Sequence, residues 1–238
     1  MTRWHVEETR RLITEHYGVA QMALAHDSFR ATTHRLTHAQ YHFQEAKRLL
    51  NERIDAHLDK QNIVTLTFPT TYEDWSDLND CLMMVEAHML ACAQAIHSIP
   101  DTLAHVVYYA LGLNLSPKHL SDRNISARTL RELLRKLVGS YAPVLNCIEV
   151  LLQNAPFQRI NALVNYTKHR GAVEPNLWVE PIDNGAPYVM KFGAFAYDNF
   201  SHPQREIEEL IAPAYEAASH AVVDTGNAIN CVLSAPKL

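Results

Sequence analysis

From Trp75 to Ile96 the chain sets an apolar residue at every seventh position, Trp75, Leu82, Met89 and Ile96, with Leu78, Val85 and Cys92 interleaved. At about 3.6 residues per turn this spacing draws one continuous stripe along a helix, the pattern of a helix packed lengthwise on its neighbours. A chain that contains such a helix is pushed toward a bundle, and its glycine content pushes the same way. Only 7 of 238 residues are glycine, well under the usual share of about 7 %, which disfavours barrels, sandwiches and folds built on tight phosphate-cradling turns. The expected class is therefore all-α or mainly α: an antiparallel helical bundle with one small β-hairpin before the C-terminal helix, as a single domain over residues 1–238.

Other segments fill in that scheme. Residues 3 to about 25 predict a helix with Trp4, Leu12, Ile13, Tyr17, Ala20 and Leu24 on one face and Gly18 in its middle. A second helix is expected from about 32 to 59, with Leu36, Ala39, Phe43, Ala46, Leu50 and Ile54 in a stripe. The β-branched run from Ile63 to Pro69 reads as an extended crossing segment, and Thr71-x-x-Asp74 as a capping box for the seam helix. Pro100 starts a new helix at Asp101 or kinks the old one. Ser126 is a candidate N-cap for a helix ending near Gly139, and further helices begin near Pro143 and Pro156. Asn176 to Ile182 and Tyr188 to Tyr197 predict strands around the turn signal Asp183-Asn184-Gly185, a hairpin over about 176–197. Ser201 and Pro203 are expected to open a final helix that Pro213 kinks.

The net charge is −5, so no chain-wide positive field draws in nucleic acid, and a polyanion would have to be held locally. Fourteen histidines make the electrostatics pH-sensitive. Cys81, Cys92, Cys147 and Cys231 stand apart among apolar neighbours without a C-x-x-C pair, which predicts buried free thiols and a reducing compartment. The N-terminus is charged throughout and no run of about 18 apolar residues occurs, so the expected location is cytoplasmic, without a membrane span.

The common nucleotide and hydrolase motifs are absent, and the chemistry-bearing residues cluster on helices. His34, His38 and His42 recur at steps of four, yet His34 to His42 spans about 12 Å along a helix axis. All three cannot hold one ion, and without a carboxylate motif to complete the set no metal and no cofactor are expected; a metal-binding bundle using His38 and His42 is the third reading. His97, Asp101 and His105 bracket Pro100: the carboxylate either orients a histidine or satisfies backbone N–H groups at a helix start. In Asn161-Ala-Leu-Val-Asn-Tyr-Thr-Lys-His-Arg-Gly171, Asn161, Asn165, Lys168 and His169 fall within about 100° of one another, opposite Ile160, Leu163, Val164 and Thr167. Basic residues before Gly171 also suit an ordinary helix C-terminus.

The spacing Asn165-x-x-x-His169 near the end of a bundle helix resembles the HEPN superfamily, whose ribonuclease members carry Arg, a polar residue that is often Asn, three residues and then His. Residues 95–104 and 164–170 are similar to helices of uncharacterised HEPN-like bacterial proteins, and the likeness covers mainly residues 75–170. Val164 stands where the family's arginine belongs. The resemblance implies a homodimer that cleaves RNA without metal where two copies of the motif meet, as a toxin- or defence-type component. His169 would be the general acid–base, Asn165 would position the phosphate or the imidazole, and Lys168 or Arg170 would supply the cation, with Asn161, Lys168 and Arg170 as RNA contacts; Asp101, from its spacing with His97 and His105, is a further catalytic candidate as an orienting carboxylate. The alternative is a non-catalytic module that dimerises through the same helices.

Overall fold

The computed structural model describes residues 3–58, 71–137, 139–179 and 188–235. Its helices are α1 (Val6–Tyr17), α2 (Val19–Leu58), α3 (Tyr72–His97), α4 (Ile99–Ala110), α5 (Ala127–Lys136), α6 (Ala142–Gln153), α7 (Ala155–His169) and α8 (Ile207–Ser234). Among the described residues, five short strands lie between α7 and α8: β1 (Pro175–Val179), β2 (Tyr188–Phe192), β3 (Phe195–Tyr197), β4 (Phe200–His202) and β5 (Arg205–Glu206). The fold is mainly α with a small antiparallel sheet before the last helix, as the sequence predicts. The chain divides into two compact units, one of Met1–Thr37, Ile96–Gln158 and Ala214–Leu238, the other of His38–Ala95 and Arg159–Pro213.

In the first unit, Gly18 adopts φ 86° and ψ 170°, a conformation open to glycine and costly for other residues. It ends α1 after Tyr17, so the single helix expected over 3–25 is in fact broken there. The expected gap before residue 32 is also corrected, because α2 runs unbroken for 40 residues. Phe29, Ser28 and Thr32 are all buried, and the Thr32 hydroxyl donates to the Ser28 carbonyl one turn back at 3.1 Å. The hydroxyl is satisfied inside its own helix and can sit in the core.

Buried Gln21 exchanges two amide hydrogen bonds with Asn114, at 2.7 and 3.0 Å. The hydroxyl of fully buried Tyr108 accepts the Leu120 N–H at 2.6 Å, which ties down the stretch between α4 and α5. Ile99, Leu103, Val106 and Val107 of α4 supply core beside Leu12, Ile13, Leu130, Leu134 and Ile148. Ser126 caps α5 in a full capping box with Thr129, and Pro100 and Pro143 occupy the first turns of α4 and α6, where their missing N–H costs nothing. By length and composition alone Tyr72–Ala110 could cross a membrane, with hydropathy 1.2 over its most apolar window and 39 % of that window buried.

In the second unit α2 and α3 run antiparallel. His42 meets His88, Cys81 Sγ approaches the Leu49 carbonyl, and Arg53 bonds the Asp74 carbonyl at 3.1 Å: as the number rises along α2 it falls along α3. The seam is buried at Val85, Met89 and Cys92, whereas Trp75, at the other end of α3, is 55 % exposed. Thr71 accepts the Asp74 N–H at 3.1 Å and donates to the Asp74 carboxylate at 2.8 Å, fixing the start of α3. The segment 61–70 and the turn at Asp183-Asn184-Gly185 lie outside the described residues.

The first sheet has the order β1-β2-β5, all antiparallel. Met190 and Phe192 are buried, while Trp178 is 46 % exposed. A second hairpin pairs β3 with β4 through Asp198 (φ 51°) and Asn199 (φ 66°), the two left-handed residues of a type I′ turn. Ser201 and Pro203, expected to begin the last helix, belong to this hairpin and the link to β5; α8 begins at Ile207 and carries Pro213 within it.

Candidate nucleic-acid interface at the end of α7

Helix α7 has two faces. Ile160, Leu163 and Val164 are buried, Val164 to 1 % exposure. Asn161, Lys168, His169 and Arg170 are exposed and Asn165 is half-buried, so the division expected from the helical wheel holds. The Asn165 amide donates to the Asn161 carbonyl at 2.9 Å and to its side-chain oxygen at 3.0 Å. This links the two asparagines one turn apart. Val164 is buried and does not belong to this polar surface.

At the C-terminus of α7 the N–H groups of Arg170 and Gly171 both bond the Tyr166 carbonyl, at 2.8 and 3.3 Å. The Arg170 guanidinium lies over the ring of Tyr197 at 5.4 Å, a cation–π contact. Tyr166 packs on Phe195 with ring centroids 5.4 Å apart, and Phe195 stacks on His202 at 4.6 Å and 17°. The hairpin β3–β4 is thereby held against the helix end, with Phe200 left 69 % exposed at its tip. Arg159, earlier on α7, donates to the Pro203 carbonyl. Burial holds the His202 imidazole below the ordinary histidine range, and Arg159 adds to the effect; burial likewise lowers Arg159, helped by Arg205.

Asp101 belongs to the first unit, whereas Asn161, Asn165, Lys168, His169 and Arg170 belong to the second. Its carboxylate accepts the backbone N–H of Ala127 at 2.9 Å, so it satisfies the first N–H of α5. The sequence reading missed Tyr197, Phe195 and Phe200. Their signal was the Asp198-Asn199 dipeptide between two short aromatic segments.

His34 and His38 are exposed, while His42 is half-buried and meets His88, a residue the sequence did not single out. Among the described residues no group of three or more His, Cys, Asp or Glu side chains is arranged to hold a metal ion. A cleft of about 280 Å³ in the first unit brings Cys147 of α6 to the same wall as His220 and Asp224 of α8. Burial and then Asp224 push the Cys147 thiol up, which opposes thiolate chemistry there.

Comparison with protein-family models, with curated proteins and with solved structures finds no match to this chain.

Proposed function

We propose that the second unit binds single-stranded RNA through the end of α7 and the β3–β4 hairpin, and that it does so without cutting the strand. The observation that carries this reading is the packing of Arg170 over Tyr197, with Lys168 and His169 exposed beside it and Phe200 exposed at the hairpin tip. Cations that track a phosphate chain, set next to aromatic faces on which bases stack, are the working parts of a single-strand site. The chain's negative charge makes this local pairing the relevant feature.

The HEPN resemblance supports RNA as the ligand. The burial of Val164 favours its non-catalytic branch, because the cation that would stabilise phosphorane charge has no counterpart at that position. Metal-independent cleavage by a homodimer is the second reading, favoured by the exposed imidazole of His169 one residue after Lys168.

Fluorescence anisotropy with a short labelled single-stranded oligoribonucleotide tests binding. Affinity should fall with salt, and Arg170→Ala should flatten the logarithmic salt slope by about 0.7. Phe200→Ala should weaken binding by roughly tenfold through lost stacking. No binding at low salt would overturn the proposal. Incubation with the same RNA in EDTA separates the two readings: intact RNA is expected, whereas products ending in 2′,3′-cyclic phosphate, lost by at least about 100-fold in His169→Ala, would establish cleavage.

A further inference from the structure

His42 on α2 and His88 on α3 face each other with their Nδ1 atoms 2.9 Å apart and their ring centroids at 5.2 Å. The Tyr41 ring lies edge-on to both, at 5.2 and 6.3 Å. Two ring nitrogens at hydrogen-bond distance hold one proton between them: one ring donates its Nδ1–H, and the other presents a bare lone pair and carries its own hydrogen on Nε2. A first added proton settles on Nε2 of the donating ring. The Nδ1–H bond survives, now charge-assisted. A second proton can go only to the accepting Nδ1. It removes the lone pair and sets two N–H groups and two positive charges against each other.

We infer that His42 and His88 form a proton-operated clasp between α2 and α3 of the second unit, closed with zero or one added proton and opened by the second. The surrounding charges agree. Burial, then the charges of His88 and of His38 one turn earlier, hold His42 below the ordinary histidine range. Glu45 lies near enough to His88 to feel its charge, but the Arg48 guanidinium already binds that carboxylate. On α3, Glu86 is pushed up by burial and by Glu174 from the segment before β1, so it is a poor counter-ion. Glu208 of α8 is engaged with Lys47.

The direction of the pH effect follows. An unfolded histidine titrates near 6.5, and the second proton binds the folded pair more weakly. Stability from the clasp is complete above about pH 6.5 and is lost as the pH falls below that value, because the unfolded chain then binds more protons. His202, also lowered, acts in the same direction, so the test is a difference between proteins.

Nitrogen-15 NMR of the histidine rings in the intact chain, followed from pH 8 to 5, should show His42 and His88 titrating in two coupled steps, with a downfield hydrogen-bonded Nδ1 proton that persists through the first and vanishes in the second. In His88→Gln, His42 should become a single-step titration with its midpoint moved up toward 6.5. The loss of urea midpoint below pH 6.5 should be smaller than in wild type. If His88→Gln does not fold, the two-step titration and the fate of the shared proton in wild type decide alone. Independent one-step titrations, or an unchanged His42 midpoint in the variant, would overturn the inference.

Discussion

The indole of Trp4 lies against Gly226 so closely that a Cβ built there would stand only 2.2–2.4 Å from three of the ring carbons. Trp4 is itself pinned: its Nε1–H donates to Thr9 Oγ1 at 2.8 Å, and the ring meets Phe29 edge-on at 5.3 Å. Ala is ordinarily better than Gly inside a helix by about 1 kcal/mol. At this site the order should invert. Gly226→Ala should destabilise by about 1–3 kcal/mol through overpacking, read from the midpoint of chemical denaturation, with a changed tryptophan emission; an unchanged or raised midpoint would contradict the packing described.

Asp101→Ala removes the acceptor for the Ala127 N–H. We expect a loss of about 1 kcal/mol, the usual cost of a lost helix-start acceptor, seen as a lower melting temperature. RNA affinity should not change. A variant that keeps its stability but loses RNA binding would return Asp101 to the functional site.

Val164→Arg would place an arginine directly before Asn165, the order the resemblance would call for, but puts a guanidinium at a position 1 % exposed. Burying an unpaired charge should cost more than about 3 kcal/mol or prevent folding. A stable Val164→Arg protein that cleaves RNA in EDTA would show that this part of α7 repacks.

The sequence predicts four buried thiols, but only Cys81 and Cys92 are buried; Cys147 is intermediate and Cys231 exposed. Burial pushes Cys92 up to about 12, which keeps it protonated and unreactive near neutral pH. A thiol reagent near neutral pH, followed by peptide mass mapping, should label Cys231 first and Cys92 only after unfolding. Rapid labelling of Cys92 in the native protein would mean that α3 opens readily.

What could be read beforehand was local. The heptad of α3, the caps at Thr71 and Ser126, and the two-faced α7 depend on residues within a turn or two, and each appears in the structure. The continuity of α2 was hidden because buried Ser28 and Thr32 interrupt the apolar pattern, although the Thr32 hydroxyl is satisfied by its own helix. The spacing of apolar residues sets Gly18 in the middle of a helix and does not report its positive φ, which makes it a break. The second hairpin lacks glycine at its turn, so Asp198-Asn199 gave a weaker signal than Asp183-Asn184-Gly185. Contacts across the fold were out of reach altogether: nothing near His42 announces His88, 46 positions away, and nothing near Arg170 announces Tyr197.

The hydroxyl of Thr9 donates to Asn230 at 2.6 Å, across a separation of 221 residues, in a unit assembled from three separate stretches of chain. On the ribosome, where residues emerge in order, Thr9 is made 221 residues before Asn230. The Thr9–Asn230 and His16–Leu233 contacts form only once that part of α8 has emerged, and closing so long a loop carries an entropy cost. Helices α5 and α6, joined by the Arg135–Glu149 ion pair only 14 residues apart, have no such wait. A chain arrested before α8 would therefore hold the α5–α6 pair and the Tyr17–Leu111 contact of α1 with α4, but not the Asn230 partner of Thr9.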